Sequence, residues 1–306
     1  MEIIVAKPRG FCAGVERAIK SVEAALERYG PPVYVLNHIV HNAHVVNELR
    51  EKGAVFVRHL DEVPRGAHLL FSAHGVGPDR WEKAKELDLQ VIDATCPLVE
   101  KVHQEARRFA SRDFTIILIG EPGHDETVGT MGWAPKHIRL IQTKEDAERI
   151  EVENPEQLAY ITQTTLSVGD CQEIIAVLQR RFPKIQGPPR QDICYATSNR
   201  QVAVNALAEE VDLVLVVGDV ESANSNRLAS IAQGRGKPAY LISDATAIDP
   251  KWLQGVRRVL LTSGASVPER LVRGVIEYLQ GMEPCTVEER ELIQENVHFR
   301  LPKVFS

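Results

Sequence analysis

The sequence predicts an α/β protein built as three similar α/β lobes in a pseudo-threefold arrangement around a central cavity. Three observations carry this. One unit of extended segment, cysteine, helix, buried strand and polar loop occurs three times. The strands "VYVL", "TIILIG" and "LVLVVG" show no alternation, so both of their faces are covered, as in a parallel sheet. The spacing from cysteine to loop is nearly constant: 29 positions from Cys12 to His41, 28 from Cys96 to His124 and 28 from Cys194 to Ser222.

The first unit opens on the strand-like "EIIVAK". After Cys12, apolar residues at Val15, Ala18, Ile19, Val22, Leu26 and Tyr29 follow helical spacing, and Gly30, Pro31 and Pro32 end that helix. In the second unit Pro97 suits a first helical position, and Val99, Val102, Ala106 and Phe109 form its inner face. In the third, Thr197, Ser198 and Asn199 offer caps, and Ala203, Leu207 and Val211 continue the face. Each unit then adds a second strand ("AVFV", "IRLIQ", "AYLIS"), an acidic surface stretch, and a third strand ending in a polar tip: "HLLFSAHG", "LAYITQTT" and "RVLLTSGAS". The expected lobes are residues 1–95, 96–193 and 194–281, with a tail over 282–306 whose Cys285 is not followed by the same helix and strand. In parallel α/β sheets ligands bind beyond the carboxyl ends of strands, where all of these polar tips lie.

Composition narrows the function classes. At 44% hydrophobic residues the chain can fill its cores. A net charge of −6 speaks against a nucleic-acid partner, which needs a basic face. No apolar run reaches the roughly 20 residues of a membrane helix, and "MEIIVAK" reads as an immediate strand rather than a targeting segment. The expectation is a cytoplasmic protein, where its five widely spaced cysteines stay reduced.

A single buried cysteine usually just packs, and that reading is kept for Cys171 and Cys285. Cys12, Cys96 and Cys194 share one slot of the repeat, so their meaning is collective. Three thiolates at one point need a cation: zinc with an open position, or an iron–sulfur cluster. Three ligands to a [4Fe–4S] cluster leave one iron open to a substrate oxygen. The polar loops add His41, His74, His124, Ser222, Asn224 and Ser266, donors suited to an anion such as a diphosphate, while Gly75 and Gly264 allow close backbone approach. The loop "GHDE" also suits a zinc site. Glu126, beside Asp125, is the candidate proton donor, and Thr164 and Thr165 can relay a proton or orient a hydroxyl.

With these residues in view, the chain resembles the 4-hydroxy-3-methylbut-2-enyl diphosphate reductases of the non-mevalonate isoprenoid pathway. The resemblance spans about residues 1–300 and is carried by "PRGFCAGV", "HIVHN", "FSAHGV", "DATCPLV", "GHDETVGTMG", "YITQTTLSV", "DICYATSNRQ", "SANSNRL" and "TSGAS". It implies an oxidoreductase with one [4Fe–4S] cluster per chain on Cys12, Cys96 and Cys194. It implies diphosphate binding at His41, His74, His124, Ser222, Asn224 and Ser266, with Glu126 as acid and Thr164 and Thr165 beside it. Family members usually have a serine where this chain has Ala223, so one hydroxyl is missing from that loop. The implied reaction is a two-electron, two-proton reductive dehydroxylation giving isopentenyl and dimethylallyl diphosphate, with a ferredoxin or flavodoxin as electron donor. The competing readings are a zinc-dependent hydrolase of a phosphorylated substrate and a non-catalytic iron–sulfur sensor.

Overall fold

A computed structural model describes residues 1–305. In chain order, β1 (Glu2–Lys7) and α1 (Ala13–Tyr29) lead into β2 (Val33–Leu36), α2 (Ala43–Glu51), β3 (Ala54–Val57), β4 (His68–Phe71), α3 (Pro78–Glu86) and β5 (Gln90–Asp93). There follow α4 (Pro97–Ala110), β6 (Thr115–Ile119), α5 (Asp125–Trp133), β7 (Ile138–Ile141), α6 (Lys144–Arg149), β8 (Leu158–Thr162) and α7 (Val168–Arg181). The last part holds α8 (Tyr195–Leu207), β9 (Leu213–Val217), α9 (Ala223–Gly234), β10 (Ala239–Ile242), β11 (Arg258–Ser263), α10 (Glu269–Met282) and β12 (Thr286–Glu291).

The chain divides into two compact units. One comprises Met1–Val15, His41–Val45 and Tyr195–His298. It holds a five-stranded parallel sheet in the order β10-β9-β11-β1-β12. Successive residues of its strands face opposite sides, and both sides are apolar. Ile4, Val214, Val216 and Leu260 meet α8 and α9 on one side, while Ile3, Val5, Leu215 and Leu261 meet Val272, Val275 and Leu279 of α10 on the other. This double burial is why the strands read as unbroken apolar runs. Each such side chain, fully buried, contributes roughly 1.5–3 kcal/mol.

The other unit comprises Glu16–Val40, Val46–Cys194 and the described residues from Phe299 on. It holds two parallel sheets, β3-β2-β4-β5 and β7-β6-β8. The three sheets share one plan. The first strand after each cysteine helix is central, the second lies on one side of it and the third on the other. The direction of winding therefore reverses between β2 and β4, between β6 and β8, and between β9 and β11. Those reversals open crevices at the strand ends.

The segments before the three cysteines are used in three different ways. The strand before Cys12, placed by the sequence with residues 1–95, pairs instead with β11 and β12. The strand before Cys96 pairs with β4, in the sheet of the expected residues 1–95. Before Cys194 there is no strand, only a single bridge between Ala159 and Gln186. Each cysteine thus ends one sheet's chain segment and starts the next one's helix. The tail forms β12, a charged edge strand ("TVEERE") held to β1 by backbone pairing; its exposed side chains gave no apolar signal.

Candidate active site

The three repeated cysteines occupy one structural slot. Each immediately precedes a helix: Cys12 before α1, Cys96 before α4 and Cys194 before α8. Each backbone N–H donates to the polar loop after a third strand. Cys12 donates to Ala265 O (3.1 Å), Cys96 to Ala73 O (3.0 Å) and Cys194 to Thr164 O (3.0 Å). Those loops are tied in turn to the end of the first strand or the chain just after it, by Gly264 N to Val217 O (3.0 Å), Gln163 N to Ile119 O (2.9 Å) and Ala73 N to Ile39 O (3.2 Å), three residues past β2. A similar backbone ladder therefore recurs three times beneath different side chains. All three cysteines are part-exposed, whereas Cys171 is 2% exposed among Ile174 and Leu178 of α7. None of the five is in a disulfide.

The chemistry of each cysteine suits a ligand to an anionic iron–sulfur cluster. Each thiol sits at a helix N-terminus, where unpaired N–H groups and the helix dipole favour negative charge. The third helix begins at Tyr195, so Thr197 and Ser198 lie inside it and do not cap it.

In the unit holding β2 to β8, Glu126 is on the first turn of α5 rather than on a loop. His124 caps that helix, its Nδ1 accepting from Glu126 N at 3.1 Å, which leaves any ring proton on Nε2. The His74 ring meets the His124 ring edge-on, with centroids 5.7 Å apart. Asp125 lies 3.9 Å from His74 Nδ1 and accepts from Asn37 Nδ2 at 3.1 Å. Asp125 therefore orients the histidine loop and is distinct in role from Glu126. Gly75 is needed for packing: its φ is +73°, and a Cβ there would lie 2.5 Å from His103.

Glu126 itself is 2% exposed. Its Oε1 accepts from Thr164 N at 2.6 Å and its Oε2 from Thr164 Oγ1 at 2.8 Å. Burial pushes its carboxyl up to about 7, against the pull of those two bonds. A carboxyl so placed holds and releases a proton near neutral pH. Gln163 fixes the neighbour: its Nε2 donates to Thr165 Oγ1 at 2.9 Å, which leaves the Thr165 hydroxyl proton able to donate elsewhere.

In the other unit, Ser222 caps α9, its Oγ accepting from Ser225 N (3.3 Å) and Ser225 Oγ (3.0 Å). With its lone pairs engaged, the Ser222 O–H is available to a ligand. Asn224 is 4% exposed, yet neither end of its amide has a hydrogen-bond partner among the described residues. A buried amide left this way costs free energy unless something binds it. Ala223, the first residue of α9, offers only its backbone. Gly264 is required by space, since a Cβ there would lie 2.0 Å from Ser225 Oγ. The Ser266 hydroxyl donates to His41 O at 2.9 Å, which ties the loop after β11 to the loop of His41.

Sequence reasoning passed over Arg17, Lys101, Asp192 and Arg200. Lys101 Nζ contacts the Asp192 carboxyl at 2.9 Å, and Asp192 also accepts from Thr162 N at 3.0 Å. Burial pushes Asp192 up while Lys101 pulls it down, the net direction being up. The only sequence signal was the recurrence of a basic residue one turn or more after each cysteine.

Residues 3–280 match a family model described as LytB protein. The chain is 54% identical over 302 residues to the 4-hydroxy-3-methylbut-2-enyl diphosphate reductase of Mycobacterium ulcerans, covering 98% of this chain and 91% of that protein. It is 54% identical over 301 residues to the reductase of the same name from Acidothermus cellulolyticus, covering 98% and 88%. Among solved structures, the E-1-hydroxy-2-methyl-but-2-enyl-4-diphosphate reductase of Plasmodium falciparum superposes with a TM-score of 0.96 at 39% identity, covering 99% of this chain and 96% of that one. Fold, repeated cysteine slot and near-full-length similarity agree, and the chain belongs to the LytB family.

Proposed function

We propose that the chain reduces (E)-4-hydroxy-3-methylbut-2-enyl diphosphate to isopentenyl and dimethylallyl diphosphate. The C–O bond to the hydroxyl breaks, two electrons and two protons are taken up, and water leaves. The observation that carries this is the buried Glu126–Thr164 pair, a proton donor poised near neutral pH. The relatives' printed names support the substrate and the oxidoreductase class. They give no support to a zinc hydrolase or a non-catalytic sensor.

Cys12, Cys96 and Cys194 would hold one [4Fe–4S] cluster per chain, which when bound supplies electrons and an open iron. The three equivalent cysteine hydrogen bonds support their assignment as a set. Glu126 delivers a proton, and Thr164 orients it through its hydroxyl and N–H. His41, His74, His124, Thr164, Thr165, Ser222, Asn224, Ser266 and the backbone at Ala223 bind the substrate and its diphosphate, with Ser266 also holding the His41 loop. Binding the inert diphosphate fixes the distant hydroxyl for reaction. The electron donor in this reading is a ferredoxin or flavodoxin, and the location is the cytoplasm. Among the described residues no helix is long and apolar enough to cross a membrane.

The test is anaerobic turnover of this diphosphate with a chemical reductant, with both five-carbon diphosphates as products. Release of inorganic phosphate without reduction would defeat the proposal. The anion site is tested separately by Asn224→Ala. A hydrogen bond to a charged group is worth roughly 1.5–3 kcal/mol, so kcat/KM should fall about 10- to 100-fold. Unchanged kcat/KM removes Asn224 from the binding set.

A further inference from the structure

A basic side chain follows each ligand cysteine by five or six residues: Arg17 after Cys12, Lys101 after Cys96 and Arg200 after Cys194. Each reaches backbone carbonyls on the approach to a different one of the three cysteines. Arg17 Nη1 donates to Thr95 O at 2.9 Å and Nη2 to Asp93 O at 3.3 Å, just before Cys96. Lys101 Nζ donates to Arg190 O at 2.6 Å and Gln191 O at 3.0 Å, just before Cys194. Arg200 Nη2 donates to Gly10 O at 2.8 Å, just before Cys12.

We propose that Arg17, Lys101 and Arg200 are positioning residues for the cluster ligands, each clamping from one cysteine's helix the backbone that presents the next cysteine. The pattern is cyclic, 12 to 96, 96 to 194 and 194 to 12. It rests on the cluster reading above. Stray carbonyls are often met by long basic side chains, but three features exceed that. The target lies one to four residues before a cysteine in all three cases. Arg200 is fully buried and spends Nη1 on Ala196 O (2.8 Å) and Glu295 Oε1 (3.2 Å) while Nη2 is kept for Gly10 O, and half-buried Arg17 adds Arg300 O (2.8 Å, from Nε) to its two carbonyls before Cys96. The approaches themselves differ, being strands before Cys12 and Cys96 and irregular chain before Cys194, so shared secondary structure does not explain the shared partner. A cation bonded to these carbonyls fixes the thiol-bearing segment and places positive charge beside it.

The test uses the full chain reconstituted anaerobically with iron and sulfide, as wild type, Arg17→Met and Arg17→Lys. The readouts are the rate of iron loss to a chelator, the midpoint potential of the cluster, and the melting temperature of the iron-free chain. Loss of an outer partner of a metal ligand typically costs about 10- to 100-fold, so Arg17→Met should lose iron faster by that factor and shift the potential to more negative values. Arg17→Lys should restore the potential, and restore iron retention in part, because it keeps the charge without the two-carbonyl fork. A wild-type potential and release rate in Arg17→Met, with only the melting temperature lowered, would overturn the proposal and leave the cluster reading intact. Wild-type protein that takes up no iron would overturn both. Should Arg17→Met not fold, Lys101→Met combined with Asp192→Asn removes the second clamp with its buried counter-charge, and the same outcomes decide.

Discussion

Glu126→Gln is expected to lower kcat by roughly 10²–10⁴-fold, the usual contribution of a positioned acid, while iron content and diphosphate affinity stay at wild-type levels. The substitution keeps shape and buried contacts. Its amide oxygen still accepts from Thr164 N, and its NH₂ faces the Thr164 hydroxyl, which can turn to accept. Only the transferable proton is gone. The pH profile carries the same signature. The carboxyl is pushed up to about 7, and the protonated form is the acid, so wild-type turnover should fall as pH rises through 7. That limb should vanish in the variant. Stability has a matching sign. With a folded value raised from the ordinary 4.5, the folded chain holds this proton more tightly than the unfolded chain. The stabilisation is complete below about 4.5 and is lost as pH rises through 7. Glu126→Gln should therefore melt no lower than wild type at pH 8, where it removes a buried carboxylate. Near-normal turnover, or an unchanged alkaline limb, removes Glu126 from the proton path.

The second large effect concerns the cysteines. Cys12→Ser, Cys96→Ser and Cys194→Ser should each lose the cluster and all turnover, because a serine hydroxyl is a poor, harder ligand for iron. Cys171→Ser should keep both and pay only in stability, since it puts a hydroxyl into the apolar cluster of Ile174 and Leu178, at about 1–3 kcal/mol. Cys285→Ser should be nearly silent, because its part-exposed Sγ donates to the carbonyls of Glu283 (3.1 Å) and Leu279 (3.5 Å), as a hydroxyl also can. Iron analysis of the five purified variants checks this, and iron loss in Cys171→Ser or retention in Cys96→Ser would contradict the slot assignment.

What the sequence made legible follows from what repeats. Strands covered on both faces leave apolar runs, so β2, β6 and β9 stood out, and the cysteine slot stood out through its constant offset from the loops they end in. Glu126 was recognised as a candidate but placed on a loop, because "DETVGTMGW" carries little amphipathic pattern and two glycines. The helix stands through His124 capping it and through Trp133 Nε1 donating to Val76 O at 3.0 Å. The partners of β1 were hidden for a different reason. An apolar strand states that it is buried and not which sheet it joins, and β1 pairs with strands more than 250 residues away. The acceptors of Arg17, Lys101 and Arg200 are carbonyls, which every residue has, so no side-chain pattern announced them.

The central claim is that three cysteines of one repeat hold a single cluster that reduces a diphosphate. Iron content and turnover of the anaerobically purified chain, measured on the same sample, test it most directly. About four irons per chain and reductive turnover to both five-carbon diphosphates are the predicted result. A colourless protein carrying one zinc, or a brown one that never turns over, would contradict it.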